Sequence, residues 1–262
     1  MPNIQPITLE RYNDKRWLRS TSYAFAATET VAPLVAQELI KAMMNMPLGF
    51  IKSETGFIPV AIQGMTSNKN LFVSAEGHWL GGYIPAVYRG YPFHLIRVED
   101  GRQVLCFNED SGLLTDTATG ELFFSEDNTP SKAVTDVMNF LSQVEANRIQ
   151  TARVCELLEK LDLFQPWHIK VKSEEGEKIL QGIYRIDEEK LNRLALEEFD
   201  QIRQIGALPV IYSQLLSMQN LAKLVELARV QSRSSIPLPT DNAGNIDLEF
   251  LNKGGTINLS NL

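Results

Sequence analysis

Apolar and polar positions change rhythm along the chain. Tyr23, Phe25 and Ala27 alternate in the manner of a short strand. Pro33 then stands where a helix can begin, because its missing N–H goes unused in a first turn. Val35, Leu39, Ala42, Met43 and Met46 follow at helical spacing, with Glu38 on the flank of the stripe. From Pro47 to Phe124 the apolar runs shorten to LGFI, FIPVAI, LFV, FHLIRV, VLCF and LFF, divided by turn residues at Glu54–Gly56, Ser67–Asn70 and Asp100–Gly101. Runs of that length bounded by turns predict strands, mostly antiparallel. Asp100-Gly101 predicts a hairpin, since glycine accepts the positive φ such turns need.

Beyond Pro130 the helical period takes over. Val134, Val137, Met138, Leu141 and Val144 form one stripe, and Val154, Leu157, Leu158 and Leu161 continue it in a second helix or after a break. Ile169–Lys172 and Ile179–Ile186 flank the polar SEEGEK turn as a hairpin. Asp187 is placed to cap a helix carrying Leu191, Leu194, Phe199, Ile202 and Ile205, with Gly206 to stop it. A last helix shows Ile211, Leu215, Met218, Ala222 and Val225. The pattern predicts an α+β protein: a β-rich, mostly antiparallel first half with one helix, then a helical second half containing a hairpin. Residues 1–231 read as a single domain. Residues 232–262, rich in Ser, Pro, Asn and Gly, read as a C-terminal tail, loosely ordered or docked.

Composition changes this picture only by exclusion. The 262 residues are 44% hydrophobic and 22% charged, ordinary globular values. A formal charge of −7 without a Lys/Arg cluster disfavours nucleic acid as a partner. The N-terminal residues lack a basic and then apolar signal pattern, and nowhere do about 18 uncharged apolar residues follow one another. Cys106 and Cys155 are too few and too far apart for a disulfide framework, and read as reduced, buried thiols. A cytoplasmic location without a membrane span is the expectation.

Candidate chemistry is sparse. His78, His94 and His168 are scattered, and no metal-ligand spacing, dinucleotide fingerprint, P-loop or GxSxG occurs, so neither a metal nor a cofactor is expected. One segment stands apart: 70–93, NLFVSAEGHWLGGYIPAVYRGYPF. It combines aromatic bodies bearing polar tips, flexible glycines and one planar cation, which suits the grip of a peptide, carboxylate or aromatic ligand. His78, Trp79, Tyr83, Arg89 and Tyr91, with Glu38, are the candidate ligand-binding residues. The same composition also suits an aromatic connection packed over a sheet, with Arg89 paired to a structural acid. Trp17 and Trp167 read as packing residues, and Met43, Met44 and Met46 as a deformable core filler.

These residues also carry a resemblance. VAPLVAQELIKAMMNMPLGF (31–50), NLFVSAEGHWLGGYIPAVYRGYPF (70–93) and IDEEKLNRLALEEFDQIRQIGALPVIYSQLLSMQNLAKL (186–224) resemble the bacterial SapC family over about Tyr23 to Leu227. An Arg-Arg-Tyr-Pro-Phe pattern of that family stands here as Arg89-Gly90-Tyr91-Pro92-Phe93, with glycine in place of one cation. The resemblance implies a surface-layer association or a peptide-transporter permease. The second label conflicts with the lack of membrane spans. It also implies an accessory role in peptide or nutrient processing, beside flavin-dependent halogenase-like enzymes or uptake receptors. It brings no catalytic residue. Three functions follow for testing: a non-catalytic accessory protein that recognises a peptide or protein; an enzyme using His78, Glu38 or Tyr91 as acid or base; and a surface-layer structural component.

Overall fold

The computed structural model describes residues 2–99, 101–173 and 176–234. The fold is α+β, built on a five-stranded antiparallel sheet of spatial order Phe164–Pro166, Ile183–Ile186, Leu48–Ser53, Gly56–Ile62 and Val31–Pro33. Leu48–Ser53 and Gly56–Ile62 form the hairpin read from LGFI and FIPVAI, with Phe50 opposite Pro59 and Ser53 opposite Gly56. Strands from the second half of the chain complete this sheet, since Ile183 pairs with Ile51 and Tyr184 with Phe50. A second, three-stranded sheet of order Ile4–Pro6, Gln103–Asn108 and Phe93–Arg97 holds the hairpin anticipated at Gly101, whose φ is +83°. Asp100, the other half of that turn signal, lies outside the described residues, as do Glu174 and Glu175 of the SEEGEK turn and the tail from residue 235.

Helix Lys132–Lys160 ties these parts together. Its 29 residues run without interruption, so the gap in its apolar stripe is not a break. Val134 at its start joins a compact aromatic cluster of Tyr12, Trp17, Phe93, Phe107 and Phe123. Val154, Cys155 and Leu158 near its end join the main core over the five-stranded sheet. In that core Phe57 stacks on Phe164 at 4.0 Å and Phe50 meets Phe164 edge-on at 4.7 Å. Both cysteines are buried free thiols, and burial pushes Cys155 up to about 12.

Several local expectations are corrected. Tyr23, Phe25 and Ala27 are not a strand but surround a 3-10 turn at Ala24–Ala26, because backbone bonds close locally from Ala26 N–H to Tyr23 and from Ala27 N–H to Ala24. Pro33 ends strand Val31–Pro33, and the helix begins at Ala36 and stops at Ala42. LFV forms one isolated bridge, Val73 to Trp79, rather than a strand. The Leu191–Ile205 segment divides into Glu188–Asn192 and Leu196–Ile205, because Glu198 caps a new start at Ala195 N–H at 3.0 Å. Asp187 caps the first of these through Lys190 N–H, and Gly206 ends the second at φ +76°. Ile211–Val225 likewise divides into Leu208–Ser217 and Leu221–Ser234. Met44 is 69% exposed while Met46 is buried, so the methionines are not one core filler.

Candidate functional site

The site grows from the start of helix Ala36–Ala42. The first N–H groups of a helix have no intrahelical acceptor and need one from elsewhere. Here Glu38 turns back so that Oε2 accepts Val35 N–H at 3.1 Å. The next two donors are met from a different element: Ala36 N–H reaches Thr151 Oγ1 at 2.8 Å and Gln37 N–H reaches Asn147 Oδ1 at 3.1 Å. Both acceptors belong to helix Lys132–Lys160. The long helix thus caps the short one across a sequence gap of more than a hundred residues.

The other oxygen of Glu38 receives the segment 79–89. Glu38 Oε1 accepts the Tyr83 hydroxyl at 2.8 Å and Ala86 N–H at 2.6 Å. With its side chain 6% exposed, Glu38 satisfies the rule that a buried charge must be hydrogen-bonded or paired. Trp79 sets the loop that delivers Tyr83: its indole N–H donates to the Tyr83 carbonyl at 2.9 Å. Gly81 permits this closure, since a Cβ there would stand 2.9 Å from Trp79 Nε1 and 3.0 Å from Phe72. Burial, and then the charge of Glu38, pushes the Tyr83 hydroxyl up from its ordinary range, so it keeps its proton and remains a donor.

Arg89 completes the arrangement from helix Ala86–Arg89. Its guanidinium lies over the Phe140 ring at 4.9 Å and over the Tyr83 ring at 5.8 Å, within cation–π range of each. It stands 3.9 Å from Glu38 Oε1, beyond hydrogen-bond reach, and makes a long 3.4 Å bond to the Tyr83 hydroxyl. Its side chain is 42% exposed. Glu38, Tyr83, Arg89, Lys41, Phe140 and Asn147 contribute to the lining of a cleft of about 200 Å³ between the short helix, segment 83–89 and the long helix.

Of the six candidate residues, the structure therefore brings Glu38, Tyr83 and Arg89 together, with Trp79 behind them. Trp79 is half-buried among Tyr23, Phe72 and Tyr88, so it supports the loop rather than the cleft surface. Tyr91 lies elsewhere, stacked on Phe25 at 3.7 Å and 9° just before a cis Pro92. His78 is exposed on the turn closed by Ser74, whose hydroxyl accepts His78 N–H at 3.1 Å. Neither His78 nor Tyr91 lines the cleft. The first part of the segment is core: Leu71, Phe72 and Val73 are buried, and Asn70 uses Nδ2 on Ala26 O and Gln63 Oε1 while Oδ1 takes Phe72 N–H. Tyr88 is buried too, donating to Gln63 Oε1 at 2.7 Å. Asn70–Phe93 is thus in part buried packing and in part cleft wall, so both uses weighed for its composition occur within it.

Phe140, Asn147 and Thr151 were missed. Asn147 and Thr151 occupy the gap in the apolar stripe between Val144 and Val154, and polar residues on an otherwise apolar helix face were the available signal.

Among the described residues no group of three or more His, Cys, Asp or Glu side chains is arranged to hold a metal ion, and no helix is long and apolar enough to cross a membrane. In comparisons with known proteins, residues 7–224 match the family model described as SapC. No curated protein and no solved structure matches the chain.

Proposed function

The chain belongs to the SapC family, and on that footing we propose that it is a non-catalytic accessory protein that recognises a peptide or protein segment through the Glu38–Tyr83–Arg89 cleft. The observation that supports this reading is the state of Arg89. Its guanidinium lies against two rings, yet its one hydrogen bond among the described residues is long, so most of its donors are left for a ligand. Glu38 serves as the fixed post behind it. Three donors already occupy that carboxylate, which locks the loop and the short helix into one preorganised wall.

Catalysis by the same carboxylate is the weaker reading. A general base needs a free lone pair aimed at substrate, whereas Glu38 faces Val35 N–H, Ala86 N–H and the Tyr83 hydroxyl. The other acids and bases weighed from the sequence, His78 and Tyr91, stand outside the cleft.

Selection of phage-displayed peptides on the whole protein, counter-selected on Arg89→Ala, tests the proposal. Enrichment of related sequences that bind the wild type and lose affinity on the folded variant is expected. Failure to enrich any sequence, or equal binding to both proteins, would overturn it.

A further inference from the structure

Resting on the recognition reading above, we propose that the cleft grips its ligand by a carboxylate group. The charged side chains lining it are Glu38, Lys41 and Arg89, so the wall carries a net positive charge on a protein whose total is −7. Glu38 spends its oxygens on three neutral donors, and its charge is set against Arg89 3.9 Å away, so the excess positive charge of the wall is that of Lys41 and Arg89 over one carboxylate. Arg89 supplies a planar fork suited to two carboxylate oxygens, and its seat on Phe140 and Tyr83 limits the rotamer freedom lost on binding.

Asn147 supplies the second, independent sign. The residue is 9% exposed and lines the cleft. The bond from Gln37 N–H fixes Oδ1 toward the short helix, which turns the amide NH2 the other way. No partner within the described residues takes Nδ2. The donor is not among the buried side-chain atoms left without a partner, so solvent reaches it, and a ligand oxygen in the cleft can take the place of that solvent. Arg89, Lys41 and Asn147 are all donors, so the wall matches an acceptor-only group. At about 200 Å³ the cleft is far above the roughly 10–15 Å³ that admits one water, and gives room for an amino-acid-sized terminus or side chain. A chain-terminal carboxylate and an acidic side chain share this chemistry.

Side-chain NMR of the ¹⁵N-labelled whole protein separates them. The Arg89 Nε–H and Asn147 Nδ2 signals, assigned with Arg89→Lys and Asn147→Asp, are followed against four probes. These are N-acetyl-glycylglycine, N-acetyl-glutamate α-amide, and their uncharged counterparts N-acetyl-glycylglycine amide and N-acetyl-glutamine amide. Saturable shifts are expected with one or both carboxylates, and binding of the uncharged partners weaker by about tenfold or more. Shifts with the first probe alone name a chain terminus, and shifts with the second alone name an acidic side chain. Asn147→Asp keeps an oxygen for Gln37 N–H but sets a negative charge where Nδ2 stood, and is expected to weaken carboxylate binding by about tenfold, a change of roughly 1.4 kcal/mol. Equal binding of charged and uncharged probes, no shift with any of them, or equal shifts with sodium chloride at matched ionic strength would overturn the proposal. Where selected peptides still bind in an Arg89-dependent manner, that failure removes the carboxylate and leaves the recognition cleft standing.

Discussion

The Tyr83 hydroxyl donates to Glu38 Oε1 across 2.8 Å, joining residues 45 apart in sequence at the back of the cleft. Ala86 N–H meets the same oxygen and Val35 N–H the other, so a single buried carboxylate holds two segments in register.

Glu38→Ala is therefore expected to destabilise the protein far more than removal of any one partner. It leaves Val35 N–H and Ala86 N–H without acceptors in a buried setting, at about 1–3 kcal/mol each. Tyr83→Phe removes the bond to Glu38 and the long one from the exposed Arg89, leaves both backbone N–H groups paired, and is expected to cost about 1 kcal/mol. Urea unfolding of both variants checks the difference; equal losses would show that Glu38 is not the shared anchor.

Arg89 is expected to behave in the opposite way. Its pairing with Glu38 at 3.9 Å is solvent-screened, with the Arg89 side chain 42% exposed, so Arg89→Ala is expected to cost no more than about 1 kcal/mol of stability. Peptide binding should fall steeply, and Arg89→Lys should fail to restore it because an ammonium lacks the planar fork. Unfolding curves and titration on the same samples separate the two effects.

Much of the architecture was legible because it follows from local rules. The LGFI and FIPVAI runs form a hairpin because their lengths and the turn between them suit antiparallel pairing. Asp187 and Gly206 bound helices because cap chemistry is local. What could not be read depended on distant partners. Pro33 suits a helix start, but pairing of Val31–Pro33 with Val60–Ile62 claims it for a strand. The stripe through Lys132–Lys160 looks broken at Asn147 and Thr151 because those side chains serve another helix. Within 70–93, composition could not separate Tyr83 and Arg89, which line the cleft, from Trp79, Tyr88 and Tyr91, which pack, since both uses favour aromatic residues beside glycine.

Two glycines are expected to respond differently to alanine. At Gly64 a Cβ would lie 2.0 Å from the Lys69 carbonyl oxygen, which is backbone and cannot swing aside. Gly64→Ala is expected to cost about 3 kcal/mol or more and to disturb the loop leading to Asn70. Gly101 has φ +83° but nothing within 4 Å of a Cβ, so Gly101→Ala carries only the left-handed backbone cost of about 1–2 kcal/mol. Thermal unfolding of the pair checks the ranking.

Stability should also depend on pH through Glu109. The Arg11 guanidinium, hydrogen-bonded to it at 2.7 and 2.8 Å, holds the Glu109 carboxyl below its ordinary 4.5, helped by the Tyr12 hydroxyl and Asn3. The folded state thus binds that proton less readily than the unfolded chain. The stabilisation is full above about pH 4.5 and is lost as pH falls below it through the folded value. The difference in melting temperature between wild type and Glu109→Gln is expected to shrink as pH is lowered through this range; a constant difference would contradict the linkage.

The most direct test is calorimetric titration of one selected peptide into the wild type and into Arg89→Ala, with folding of both verified by unfolding curves. Saturable binding to the wild type and affinity lower by tenfold or more on the variant is the result expected of a recognition cleft built on Glu38, Tyr83 and Arg89. Equal affinities on two equally folded proteins would contradict it.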